Sequence, residues 1–125
     1  MKLEKAVAIA RKNTIKPISD DLNTSKKRRK KSKKFFKKYG FHFEECWCLD
    51  HSIACYLLPR LVHLKKVMNT YPDGLTPEEW DEVLGKMIHG FKLIAEDKLF
   101  YNSENLAAAH EAIDLFAKHY FSLWD

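Results

Sequence analysis

Residues 75–94 read LTPEEWDEVLGKMIHGFKLI, and this stretch decides the fold. Thr76 is an N-cap residue, Pro77 suits the first helical position, and Glu79 stands where it can reach back to complete a capping box. Beyond the cap, Trp80, Val83, Leu84, Met87, Ile88, Phe91 and Ile94 recur at three- and four-residue spacing along one face of a helix. In a chain of 125 residues with 46% hydrophobic residues, four glycines and four prolines, one such helix implies others. The composition suits long helices around a single core, not a meander of strands.

Working outward, a second helix is expected from about Cys48 to Met68, with Ile53, Leu57, Leu61, Leu64 and Met68 as its stripe. Pro59 lies inside it and removes the backbone bond to the carbonyl of Cys55, so a kink is expected. NTYPDG (69–74) reads as the turn between the two helices. Downstream, FYNSEN (100–105) breaks the chain, with Asn102 or Ser103 as cap. A last helix then carries Leu106, Ala109, Ile113, Phe116, Tyr120 and Leu123 to the end of the chain. Short connections favour antiparallel neighbours, so the expected architecture is all-α: a compact three-helix domain over residues 41–125.

Charge divides the chain at residue 40. Residues 1–40 hold fifteen Lys and Arg against three acidic residues, a net of +12; residues 41–125 hold seven against fourteen, a net of −7. The first segment, KLEKAVAIARK, can form a short helix with Leu3, Val7 and Ala10 on one side, too short to stand alone. NTIKPISDDLNTS reads as a linker. SKKRRKKSKKFFKKYG follows, with Ser25 as a candidate N-cap and Gly40 as a C-terminal stop. Ten of the thirteen residues from Lys26 to Lys38 are basic: Lys26, Lys27, Arg28, Arg29, Lys30, Lys31, Lys33, Lys34, Lys37 and Lys38. Such a run repels itself and opposes the helix dipole, so the expected arm is basic and only partly helical until an anion neutralises it. Phe35, Phe36 and Tyr39 are expected to pin its end to the body. A run without alternation of sign is a natural phosphate binder, and nucleic acid or a nucleoprotein complex is the expected partner. An anionic membrane surface and the acidic bodies of other copies are the lesser alternatives.

HFEECWCLDHSIAC (42–55) collects two histidines and three cysteines. On a helix at about 100° per residue, Cys48, His51 and Cys55 fall within roughly 60° of one another, whereas Cys46 points elsewhere. One helix thus offers zinc three ligands at most, and the spacing matches no standard finger. The same residues read better as a helix start, with Cys48 at the N-cap, Asp50 complementing the dipole and Cys55 packing as a small hydrophobe. No metal and no cofactor is expected. Three cysteines without an evident leader suggest reduced thiols and a cytoplasmic setting.

ECWCLDHSIACYLLPRLVHLKK, YPDGLTPEEWDEVLGKMIHGF and AIDLFAKHYFSLWD together resemble a family of small uncharacterised tailed-bacteriophage proteins. Its members look like E-T-W-S-L-D, then P-R-L within an apolar helix, Y-P-x-G-L-T-x-E-E-W, and L-F-x-K-Y-F-x-x-L-W. The resemblance covers most of residues 44–125 and stops short of the basic arm. Where the family pattern has threonine and serine this chain has Cys46 and Cys48, which fits a cap better than a zinc ligand. His119 also departs from the pattern. The resemblance implies a phage accessory protein working in the bacterial host cell.

Tyr56, Arg60 and His63 share a side of the expected first body helix, and an arginine beside a tyrosine and a histidine can hold a phosphate or carboxylate. The plainer reading pairs Arg60 with an acid of the next helix, such as Asp81 or Glu82. Trp47, Trp80 and Trp124 read as core anchors or edge packing ahead of a base-stacking platform. No phosphate-cradling glycine loop, nucleophile elbow or paired carboxylate argues for an enzyme. Two functions remain. In the first, a non-enzymatic phage protein grips nucleic acid with its arm while its body docks on a host protein or host-defence complex, a CRISPR effector among them. In the second, a helical homo-oligomer uses Tyr56, Arg60 and His63 to sequester a cyclic nucleotide signal.

Overall fold

A computed structural model describes residues 1–125 as an all-α chain without strands. Five helices appear: α1 (Leu3–Asn13), α2 (Lys26–Tyr39), α3 (Leu49–Val67), α4 (Pro77–Ala95) and α5 (Ser103–His119). Short 3-10 turns cover Ile18–Asp20, Phe43–Cys46 and Tyr120–Ser122. None of the helices is long and apolar enough to cross a membrane.

The start of α4 follows its sequence closely. The Thr76 hydroxyl accepts from Glu79 N–H at 3.1 Å, and the Glu79 carboxylate accepts from Thr76 N–H at 3.0 Å. Helix α4 is the centre of the core, packed on α3 along one flank and α5 along the other. Trp80, Leu84, Met87, Ile88 and Phe91 are buried there, and Trp80 directs its indole N–H to the sulfur of Met68. The α4–α5 crossing is tight: a Cβ added at Gly90 would lie 2.7 Å from the Ala108 carbonyl oxygen and closer still to Ala112.

Four helices, not three, build this core. Helix α1 lies on α3 and buries Ala6 and Ala10 in the same cluster as Leu58 and Met87. Charge separates residues 1–40 from the rest, but packing does not, because the first thirteen residues supply core side chains. A helix of eleven residues is marginal alone; here its small alanines let it sit close against α3.

Two expected stripes turn out rotated. On α3 the buried residues are Ala54, Cys55, Leu58, Leu61 and Val62, while Ile53 stays 46% exposed. Apolar side chains run nearly all round this helix, and its two neighbours, α1 and α4, decide which of them are covered; of the expected stripe only Leu61 is fully buried. On α5 the buried residues are Ala109 and Ala112, with Leu106 and Ile113 exposed. Ile53, Leu57, Leu106 and Ile113 instead line an open apolar groove between α3 and α5. Helix α5 ends at His119, short of the expected chain end. Helix α3 continues through Pro59 to Val67.

Candidate nucleic-acid interface

Helix α2 is helical over all fourteen of its residues, more than the partial order its charge suggested. Its ends are closed: the Ser25 hydroxyl accepts from Arg28 N–H at 3.2 Å, and Gly40 takes a left-handed φ of 79°. Its middle is clamped through Ser32, the one residue of the helix that is neither basic nor aromatic. Ser32 is buried, and its hydroxyl donates to Glu44 Oε2 (3.1 Å) while accepting from Ser19 N–H (3.2 Å). The same Glu44 oxygen accepts from Ile18 N–H at 2.6 Å. One buried carboxylate therefore ties α2 and two 3-10 turns together, and hydrogen bonds to a charged acceptor are the stronger kind.

Aromatic rings secure the C-terminal end, as expected of Phe35, Phe36 and Tyr39. Phe35 sits between Tyr39, Phe41 and Phe43, and Phe36 stacks on His42 at 4.3 Å. Beyond these two turns α2 has no substantial interface with α1, α3, α4 or α5. It stands off the body as a rod about 21 Å long.

The cations face away from the clamp. At about 100° per residue, Lys26, Lys27, Lys30, Lys31, Lys33, Lys34, Lys37 and Lys38 fan across an arc of roughly 160° opposite Ser32. Arg28 and Arg29 flank the seam, and Arg29 alone of the ten is partly covered. None of the ten forms an ion pair within the chain. The pairs that exist lie in the body: Lys65–Asp81 (3.0 Å), Lys86–Glu111 (3.3 Å) with Lys86–Glu82 (3.9 Å), and Glu96 with Lys92 (2.8 Å) and Lys98 (3.4 Å). Like charges four residues apart each cost about 0.2–0.5 kcal/mol, so the Lys26–Lys30, Lys27–Lys31, Arg29–Lys33, Lys30–Lys34, Lys33–Lys37 and Lys34–Lys38 pairs together cost on the order of 1–3 kcal/mol. A polyanion laid along this arc would relieve that repulsion.

A second feature lies between α1 and α3, a cleft of about 800 Å³ that holds Tyr56, Arg60 and His63 together as their spacing foretold. Arg60 does not pair with Asp81 or Glu82, which take Lys65 and Lys86 instead. Its guanidinium lies 3.6 Å from the Tyr56 ring centroid, and Nη1 donates to the Tyr56 carbonyl at 2.7 Å. Arg11 reaches the cleft from α1. Nothing in the sequence marked Arg11 until α1 was known to lie on α3.

The cysteines and histidines disperse. Cys46 and Cys48 are exposed, Cys55 is buried, and no three potential metal-binding side chains converge. Cys48 holds the N-cap position of α3 without a side-chain cap bond. Cys55 Sγ lies 3.6 Å from His51 Nε2, but that nitrogen also meets the Asn13 carbonyl oxygen. A carbonyl only accepts, so Nε2 carries the proton and cannot take another from the thiol. Burial raises the Cys55 pKa, against a smaller lowering from a hydrogen bond with Thr14, which keeps the thiol protonated.

The Glu44–Ser32 clamp escaped the sequence reading. A lone serine inside a lysine run, one helical turn before the Phe35–Phe36 pair, was the available signal. No family model matches the chain, and neither the curated proteins nor the solved structures yield a match.

Proposed function

We propose that this chain is a non-enzymatic phage accessory protein that binds nucleic acid, or the nucleic acid of a nucleoprotein complex, along the outer face of α2. The phage assignment rests on the family resemblance of residues 44–125. The binding assignment rests on one observation: ten cations that no carboxylate of the same chain neutralises, eight of them fanned opposite the seam that fixes the helix. An acidic body was available to fold onto them, yet the clamp holds them away. Phosphates meeting several of these lysines would release counterions, giving salt-sensitive and sequence-tolerant affinity. A host-defence complex built on nucleic acid fits as the target.

The test replaces lysines and leaves the chain whole, because deleting residues 1–40 would also remove Ala6 and Ala10 from the core. The full-length protein is expected to be retained on immobilised DNA at low salt, and Lys27, Lys30, Lys31, Lys34 and Lys38 changed together to Gln should abolish retention. Equal retention of both proteins would refute the assignment.

The α1–α3 cleft supports a second reading, a nucleotide-sequestering protein. Its volume suits a small ligand, and Arg60 and Arg11 line it without forming an ion pair, although Glu45 and Asp125 line it too. Calorimetry with cyclic nucleotides, on the native protein and on Arg60→Ala, separates the two readings. Absence of heat with every nucleotide removes this one.

A further inference from the structure

Aromatic side chains spread over the surface where α2 meets the body. Tyr39 is 54% exposed, Phe41 44% and Trp47 61%. They are joined from beneath: Phe35 contacts Tyr39 at 4.7 Å and both Phe41 and Phe43 at 5.4 Å, and Phe43 contacts Trp47 at 6.0 Å. The outer rings are thus held by an inner pair while about half of each stays exposed to solvent. Trp80 shows what a core tryptophan looks like in this chain, 3% exposed with its N–H bonded to Met68. Trp47 is the opposite case, since its indole N–H makes no hydrogen bond within the chain.

The surroundings of these rings suit a nucleic acid strand. The rings lie on the seam side of α2 and adjoin the lysine arc at its C-terminal end, where Lys38 Nζ lies 5.2 Å from the Tyr39 ring centroid. The only acids between Gly40 and Cys48 are Glu44 and Glu45. Glu44 is buried in the clamp, and Glu45 accepts from His42 N–H at 2.7 Å. Glu44 is thus out of a phosphate's reach, and Glu45 is the one partly exposed carboxylate of this segment. In a duplex the bases are stacked on one another and hide their faces. Open aromatic rings beside a cationic track stack most readily on bases that are already splayed, since entering a duplex costs unstacking.

Resting on the assignment of α2 as the phosphate-binding element, we propose that the bound strand is single-stranded, with bases stacking on Tyr39, Phe41 and Trp47 while its backbone follows the lysines of α2. The platform tolerates sequence because every base has a π-face. Exposed aromatics could instead meet a protein partner, and in that case bases would add nothing to affinity.

The experiment titrates full-length protein, by fluorescence anisotropy at low salt, with three probes of equal phosphate number: an oligothymidine, a self-complementary duplex, and an abasic strand. The oligothymidine is expected to bind about tenfold or more tighter than the abasic strand. Trp47→Ala should erase most of that difference while leaving abasic-strand affinity and salt dependence as they were, and Trp47→Phe should restore part of it. Circular dichroism confirms that both variants keep native helicity, and the surface position of Trp47 favours that. Equal affinity for oligothymidine and abasic strand, tighter binding of the duplex, or an unchanged preference in Trp47→Ala would each overturn the stacking proposal while leaving α2 as a phosphate binder. Indifference to all three probes would overturn both.

Discussion

Helices α2 and α4 are held by opposite means. Helix α4 is wrapped by α3 and α5, and its place follows from the apolar area of Trp80, Leu84, Met87 and Phe91, spread over many contacts. Helix α2 has almost no apolar area to offer before Phe35, and it is fixed by caps, one buried carboxylate and a small knot of rings. The difference teaches that a helix can be well placed without belonging to the core. Diffuse burial resists single changes, whereas a point clamp concentrates the same task in a few atoms. The first arrangement supplies stability and the second supplies orientation.

That contrast can be tested from both sides. The largest effect should come from the lysine arc. Each phosphate contact on a single strand contributes a salt exponent of about 0.7, so the five-lysine Gln variant should lose about 10³-fold in affinity near 0.1 M salt and flatten the log–log slope by about 3.5. Its thermal stability should hold or rise, because like-charge repulsion is relieved. A fall in stability comparable to the loss of binding would mean that the lysines serve folding.

Next in size is Glu44→Ala. It leaves Ile18 N–H and the Ser32 hydroxyl without their shared acceptor, at a cost of about 3 kcal/mol. The loss should be local. Hydrogen exchange should accelerate in residues 18–46 while amides of α4 stay protected. Equal acceleration throughout would show that the two helices are one cooperative unit after all. The mirror experiment is Gly90→Val, whose side chain must displace Ala108 and Ala112 of α5. Overpacking of this kind costs about 1–3 kcal/mol. The melting temperature should fall, while polyanion binding by the protein that remains folded is unchanged.

The smallest effect concerns His119, which packs edge-on against Trp80 at 5.3 Å. Burial lowers its pKa, with help from neighbouring Lys118. The unfolded chain therefore binds the proton more readily than the folded one. Stability should be fully present above the ordinary histidine range, near pH 6.5, and decline as pH falls through the depressed folded value. A His119→Phe variant should flatten that decline in a urea titration while leaving the α2 functions alone.

How legible these features were depended on how many neighbours each residue answers to. The Thr76–Pro77–Glu79 start is a local matter, and sequence alone placed it. The all-α class followed from the same kind of periodicity. Helix α3 answers to α1 on one side and α4 on the other, so its true inner face, around Ala54, Leu58 and Val62, differs from the stripe of larger residues. Periodicity records where apolar groups lie; it does not say which of them a close neighbour will accept. Tyr56, Arg60 and His63 were legible as a group because they share one helix, whereas Arg11 was not, since only α1–α3 packing brings it there. Ser32 and Glu44 are twelve positions apart on either side of a helix end, and no local pattern connects them.

The separation of charge in this molecule has a kinetic consequence. With no ion pair joining its basic rod to its acidic body, the folded chain keeps a large permanent electric moment directed from the body toward α2. Near a polyanion that moment exerts a torque before any contact forms, turning the rod forward and the body back. Most collisions would then begin in a productive attitude, and the body's outer surface would be left facing outward for whatever else arrives.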